Sequence, residues 1–341
     1  MTEPTAVPTV RFARTSDGLN IAFWTLGEGP ALVQMPGFPV SHVRLEWQNA
    51  ACQAYYRLLA SGRTLVRYDP RGAGLSERIV EDLTIEGHVR DLEAVVAKAG
   101  IERFALLGPT HLGPAAITYA ARHPERVTHL ILWYTYARSA DYSRSPRVEA
   151  ARSLLEKDWE LYTELEERRS AQPALGGYTQ LLREANSAVG LRAAFAAIRT
   201  YDASDWLSQV TSPTLVLHRK DSRVLGVDVA RELASRIPDS RLMLLEGGAL
   251  APFVGDVDAV IAAIDGFLSD SGRNENNPDG LTAREVEVLC LVAAARSNRQ
   301  IAEDLALSER TVSRHITNVY TKIGAHSRAE ATSYAIRHEI A

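Results

Sequence analysis

Thr110 and His111 are neighbours in Leu107-Gly108-Pro109-Thr110-His111-Leu112-Gly113-Pro114, just after the apolar run Phe104–Leu107. A hydroxyl beside an imidazole is the elementary unit of nucleophilic catalysis, because the imidazole can take the proton that the hydroxyl must lose. The plainer reading makes Thr110 a pocket-lining hydroxyl and His111 a polar side chain on the pocket floor. His218 closes another apolar run, Thr214–His218, and reads as a hydrogen-bonded structural histidine. Arg71, near Asp69, reads as half of a structural ion pair. The nine histidines stand at 42, 88, 111, 123, 129, 218, 315, 326 and 338, with none between 219 and 314. Cys52 and Cys290 lie far apart in sequence and read as small buried hydrophobes; a zinc site lacks its ligands, and no cofactor is called for. The other chemistry-bearing pattern lies near the C-terminus. Val312, Ile316, Val319 and Ile323 recur at i, i+4, i+7 and i+11 and make one apolar stripe. At about 100° per residue the opposite face presents Arg310, Arg314, Thr317, Asn318 and Thr321. An apolar back with a polar, cationic front is what a helix lying in a DNA major groove requires.

These groups must be positioned by a chain of 341 residues, long enough for two domains. Its 46% hydrophobic and 23% charged residues are ordinary for a globular protein and exclude disordered or collagen-like chains. MTEPTAVPTV is not a secretory signal, and no run approaches a membrane span, so with two distant cysteines a reducing cytoplasm is expected. Net charge is −4 overall, but residues 281–341 hold eight Lys/Arg against seven Asp/Glu, net +1. The boundary is Ser269–Gly280, SDSGRNENNPDG, which has almost nothing to bury and reads as a solvated tether over 270–280. Upstream, Val10–Thr15 and Ile21–Leu26 flank Ser16-Asp17-Gly18 as a hairpin. Apolar runs at Ala31–Met35, Thr64–Tyr68, Phe104–Leu107, Leu130–Trp133, Thr214–His218 and Arg241–Leu245 alternate with amphipathic stretches Ile85–Ala99, Pro114–Arg122, Val227–Arg236 and Val257–Leu268. Such alternation predicts an α/β domain over 1–269, a mostly parallel sheet with helices on both faces. From about Tyr136 to Trp206 the pattern is helical, without a strand, and reads as a lid over the sheet's carboxyl edge.

This organisation resembles the α/β-hydrolase fold over about residues 8–269. Met35-Pro36-Gly37-Phe38 stands where that family places its oxyanion loop. Tyr68-Asp69-Pro70-Arg71-Gly72-Ala73-Gly74-Leu75-Ser76 is similar to its D-x-R-G-x-G-x-S turn. Gly108-Pro109-Thr110-His111-Leu112 occupies the nucleophile elbow, and Ser212–His218 resembles the strand before the catalytic acid. The resemblance implies an eight-stranded sheet and a Ser–Asp/Glu–His triad with the nucleophile in G-x-S-x-G. Here the nucleophile position is Thr110, and the second elbow glycine is Leu112, whose bulk should crowd strand–helix packing. The acid position is Ser222, one residue from Asp221. In Gly247-Gly248-Ala249-Leu250-Ala251-Pro252-Phe253 the base position is Leu250. A domain without catalysis but with a lidded cleft implies a sensor. Its pocket would be lined by Phe38, Thr110, His111, Tyr134 and Leu250, for a small effector that is apolar or acyl-like. Two alternatives remain: a bifunctional enzyme using Thr110 and His111, and a ligand-free dimerisation scaffold.

Residues 281–341 resemble the LuxR/NarL-type helix-turn-helix nearly end to end, from Leu281-Thr282-Ala283-Arg284-Glu285 to Gly324 and Ser327-Arg328. Thr282-x-x-Glu285 and Ser297-x-x-Gln300 are capping boxes opening the first two helices, and Ser308 caps a third that runs to about Ile323. The resemblance implies a transcriptional regulator whose double-stranded promoter DNA is read by Ser313, Arg314 and Thr317, with Arg299, Thr311 and Lys322 on phosphates. The family usually has Lys where Ser313 stands. A module of net charge +1 should bind weakly alone, so a homodimer is expected, with RNA polymerase as a further partner and no membrane.

Overall fold

The computed structural model describes residues 7–143, 145–169, 177–269, 279, 281, 283–305, 309–338 and 340. Eight strands form one sheet: β1 (Arg11–Arg14), β2 (Asn20–Leu26), β3 (Ala31–Gln34), β4 (Thr64–Tyr68), β5 (Phe104–Pro109), β6 (Val127–Trp133), β7 (Thr214–Arg219) and β8 (Ser240–Leu245). Their spatial order is β1-β2-β4-β3-β5-β6-β7-β8. β1 and β2 form the expected hairpin, with Arg11 opposite Phe23, and β2 runs antiparallel to β4; every later pairing is parallel. The strands follow the apolar runs because the sheet is covered twice. Val33, Val66, Leu106, Leu132 and Val216 face one apolar layer, and Leu32, Leu65, Leu107, Ile131 and Leu217 face the other.

The helices in the N-terminal half are α1 (Val43–Gln48), α2 (Ala50–Leu59), α3 (Ile85–Ala99) and α4 (Gly113–Arg122). Local sequence fixes their ends: the Thr84 side chain accepts from the Gly87 amide at the start of α3, and Gly100 at φ 72° closes it. The expected insertion is α5 (Ser139–Ser143), α6 (Pro146–Lys157), α7 (Trp159–Arg169), α8 (Tyr178–Ala185) and α9 (Ala188–Ile198). Leu155, Tyr162, Leu182 and Leu191 form a small core there, against which Trp159 and Phe195 pack. α10 (Val227–Arg236) and α11 (Val257–Ser269) complete the layers.

The last four helices are α12 (Ala283–Ala293), α13 (Asn298–Asp304), α14 (Glu309–Ile323) and α15 (Arg328–Arg337). They enclose a core of their own that includes Leu281, Leu289, Ile301, Val312, Val319 and Tyr334. The capping box Ser297/Gln300 is present, whereas Thr282 and Ser308 lie outside the described residues, as does the tether apart from Asp279. The sequence-based expectation stops at the turn Gly324; α15, capped by Ser327, adds a fourth helix that closes on α12. Arg241 of β8 and Glu287 of α12 meet at 3.3 Å.

Two expectations are corrected here. Arg71 does not pair with Asp69. Its guanidinium meets Asp91 and Asp17, each at 2.9 Å, while Asp69 accepts from the Ser41 hydroxyl and the Val43 and Leu75 amides. Backbone donors of two loops satisfy Asp69, which leaves Arg71 to face α3. Cys52 is buried and its thiol is pushed up by desolvation, but Cys290 is only half-buried, with its thiol donating to the Ile340 carbonyl at 2.9 Å.

Candidate functional site: a lidded cavity and a helix-turn-helix face

A cavity of about 640 Å³ lies between the carboxyl ends of the central strands and the inserted helices. Phe38, Thr110, His111, Tyr134 and Leu250 all line it. Thr110 sits at the β5–α4 turn with φ 46°, a left-handed conformation that β-branched residues avoid. The Thr135 hydroxyl donates to the Thr110 carbonyl at 2.5 Å and helps to hold it there. The turn is tight on two sides: a Cβ on Gly108 of β5 would meet the Ala116 methyl of α4 at 2.4 Å, and one on Gly113 would meet the Thr135 hydroxyl, in the segment after β6, at 1.9 Å. The crowding expected at Leu112 does not arise. Leu112 is fully buried in the core, and the close approach of helix to strand falls at Ala116 against Gly108.

The groups around Thr110 are mutually engaged. His111 Nδ1 and the Tyr136 hydroxyl are 2.5 Å apart, and the ring meets Tyr142 edge-on at 4.6 Å. Tyr134 also has positive φ, at 47°, and its hydroxyl lies 2.5 Å from the Ser222 hydroxyl. Ser222 in turn accepts from the Leu225 amide. His218 is structural, as read: buried under Tyr134, it donates from Nε2 to the Leu225 carbonyl at 2.9 Å, and desolvation lowers its pKa. Leu250 lines the cavity, and its carbonyl accepts from the Trp133 indole at 2.8 Å. The aromatics of the inserted segment divide their roles. Tyr162, Tyr178 and Phe195 line the cavity, while Tyr201 donates to the Leu83 carbonyl and Trp206 lies under the Arg122 guanidinium.

The inner end of the cavity was not foreseen. There Arg67 of β4 meets both Glu46 oxygens, at 3.0 and 2.9 Å, and the Tyr56 hydroxyl donates to Glu46 at 2.6 Å. Burial opposes the arginine charge, but Glu46 overrides it, so Arg67 titrates above its ordinary range. Gln34, at the end of β3, stands beside this pair in the sheet. The available signal was a polar residue inside an apolar run: Gln34 within Ala31–Met35, and Arg67 within Thr64–Tyr68.

On α14, Val312, Ile316 and Val319 are buried as the stripe requires, with His315 buried beside them. Ser313 and Thr317 are exposed and Asn318 half-buried. The side chains of Arg310, Thr311 and Arg314 lie outside the described part. The exposed hydroxyls donate back along the helix, Ser313 to Glu309 and Thr317 to Ser313, at 2.9 and 3.0 Å. Arg299 is exposed and meets Glu303 at 3.1 Å. Lys322 is not simply presented to solvent: its ammonium lies 2.7 Å from the buried carboxylate of Glu285.

Sheet, inserted helices and cavity define one class of domain, and the four-helix module with its polar α14 face defines another. A family model for the alpha/beta hydrolase fold matches residues 30–256, and the chain belongs to that family. Residues 279–335 match the model for bacterial regulatory proteins of the luxR family, so the C-terminal module is a LuxR-type helix-turn-helix. Over 73 residues the chain is 40% identical to the transcriptional regulatory protein LiaR of Bacillus subtilis, covering 21% of this chain and 35% of LiaR. The chain thus spans about a third of that relative's length. It is 24% identical over 269 residues to the AB hydrolase superfamily protein YisY of the same organism, covering 75% of this chain and 98% of YisY. Among solved structures, an esterase from Exiguobacterium antarcticum superposes with a TM-score of 0.66 at 21% identity, over 76% of this chain and all of the esterase. No helix among the described residues is long and apolar enough to cross a membrane.

Proposed function

We propose that the chain is a ligand-responsive transcriptional regulator: the hydrolase-fold domain holds a small, largely apolar effector in its cavity, and the helix-turn-helix binds promoter DNA as a homodimer. The observation that carries this reading is the occupancy of the elbow cavity. Thr110 stands at the β5–α4 turn with positive φ, Leu250, where the resemblance puts the base, lines the cavity, Ser222 is engaged with Tyr134, and His111 spends Nδ1 on Tyr136. Such a cavity can retain a molecule without consuming it. On the DNA side, Ser313, Arg314 and Thr317 read bases, with Arg310 and Asn318 on the same face, and Arg299, Thr311 and Lys322 meet phosphates. Bound at the promoter, the dimer would act on RNA polymerase.

The decisive test pairs two measurements on the full chain. A small-molecule library should contain compounds that raise the melting temperature, because a ligand that binds only the folded state stabilises it by mass action. Hydrolysis of an activated ester should proceed at the same rate in wild type and Thr110→Ala. A silent library removes the sensor. A clear loss of rate in Thr110→Ala supports the second reading, a regulator that also hydrolyses esters, which is favoured by Thr110 keeping the positive φ of a nucleophile turn.

A further inference from the structure

The helix-turn-helix module sits against the start of β8 and the second half of α11. A cleft of about 440 Å³ runs along this seam, with Leu242, Met243, Ala263 and Phe267 on one side and Arg284, Glu287 and Leu305 on the other. Glu287 of α12 is the centre of the contact. One of its carboxylate oxygens lies 3.3 Å from Arg241 of β8 and the other 2.6 Å from Arg284, whose guanidinium also donates to the Leu305 carbonyl at 2.9 Å. Asp239, one residue before β8, feels the same charges. Burial and the module's Glu285 push its carboxyl up to about 6, against Arg241 in its own domain and Arg284 and Lys322 in the module. The module therefore docks through α12 and the end of α13, while Ser313 and Thr317 of α14 stay exposed. Docking aims α14 without covering those side chains.

β8 and α11 also flank the longest unbroken stretch of cavity lining. Residues 248–253, six in a row, line the cavity and lie in the connection from one element to the other. That connection is stiff. The Arg219 guanidinium, at the end of β7, donates to the Glu246 and Val254 carbonyls at 2.7 and 3.0 Å, one on each side of the stretch, and the Trp133 indole holds the Leu250 carbonyl. A close-packed segment pinned in this way transmits displacement instead of absorbing it. A molecule that pushes on the loop from inside the cavity must therefore move β8 and α11, whose other ends are the module's seat. An inter-domain contact built on ion pairs is open to such adjustment.

We propose that β8, the 248–253 loop and α11 form one coupling unit between cavity and DNA-binding module. Occupancy of the cavity shifts the loop at one end of the unit and the Arg241–Glu287–Arg284 latch at the other, and so changes how α14 is presented to DNA. This rests on the sensor reading above, but its test uses the full chain and no effector, so it can fail while that reading stands. The chain has three methionines, at positions 1, 35 and 243, and isotope labelling of their methyls for NMR makes Met243 a reporter inside the seam. Arg241→Glu and Glu287→Arg should each move the Met243 resonance, and the two together should bring it back towards wild type. At the cavity end, a Cβ on Gly248 would meet the Asp221 carbonyl at 2.5 Å, so Gly248→Ala forces the loop aside. Trp133→Phe releases the Leu250 carbonyl. Each should move Met243 as well. Phe195→Leu alters a lid residue of the same cavity outside the unit and should leave Met243 in place. A Met243 resonance indifferent to both latch variants overturns the docking, and a double variant displaced as far as the two singles combined overturns the latch. Response to the latch variants but not to the loop variants, or an equal response to Phe195→Leu, overturns the coupling through β8 and α11. Loss of fold in both loop variants makes the loop purely structural and overturns it too.

Discussion

The cavity and the recognition helix spend their polar groups in opposite ways. Around the cavity, side chains close on one another across the fold: Arg67 on Glu46, Tyr134 on Ser222, His111 on Tyr136. Partners stand 21 to 88 residues apart in sequence, and most of these side chains are buried. On α14 the described polar side chains are mostly exposed, and their hydroxyls bond within four residues of themselves. The first arrangement is made by tertiary packing and the second by helical periodicity. A binding face on one helix can therefore be found by counting, whereas a pocket's chemistry requires knowing which strands are neighbours.

The contrast can be broken most forcefully at Glu46. Glu46→Ala leaves Arg67 buried without its counter-ion and should cost about 3–5 kcal/mol. All five tryptophans lie at or before position 206, so tryptophan fluorescence during denaturant unfolding reports the loss in the hydrolase-fold region alone. The helix-turn-helix module should unfold as in wild type. A loss of less than about 1 kcal/mol would mean that the pair is not sealed from water.

The next effect concerns pH. Burial against Phe267 holds the His129 pKa down, from 6.5 to about 4. A depressed histidine contributes stability that is fully present above pH 6.5 and is lost as pH falls towards 4, because the unfolded chain then binds the proton more readily. The whole shift corresponds to about 3 kcal/mol. His129→Phe should flatten the stability profile between pH 6.5 and 4, and a profile unchanged by the substitution would place the titration elsewhere.

On the DNA-binding side the effects are smaller and divide by what is read. Arg314→Ala should cost roughly 1–3 kcal/mol on the cognate duplex and much less on a scrambled one, since a base contact discriminates. Equal losses on both would move Arg314 off the base edges. Lys322→Ala should weaken both duplexes alike. Its effect on the salt dependence should stay below the one unit of slope that a free phosphate-binding lysine gives, because Glu285 already neutralises part of its charge. Titrations at several salt concentrations check both variants, and a full unit lost in Lys322→Ala would show that Glu285 releases the lysine on DNA.

The sequence determined what is local or periodic. Alternating apolar runs and amphipathic stretches located the strands and layer helices, since period 2 and period 3.6 are fixed by backbone geometry. The Val312–Ile323 stripe oriented α14 for the same reason. Thr110, His111, Tyr134, Phe38 and Leu250 converge on one cavity because loops at the carboxyl ends of parallel strands gather over the same edge. Tertiary structure alone decided how those groups are partnered. It gave Arg71 to Asp91 and Asp17 instead of Asp69, set Lys322 against Glu285, and put the helix–strand contact at Ala116 against Gly108 rather than at residue 112. It also placed Gln34 beside Arg67, because the sheet order inserts β3 between β4 and β5. A hydrogen bond between distant residues depends on two backbone paths meeting within a fraction of an ångström, and no spacing along one chain encodes that distance.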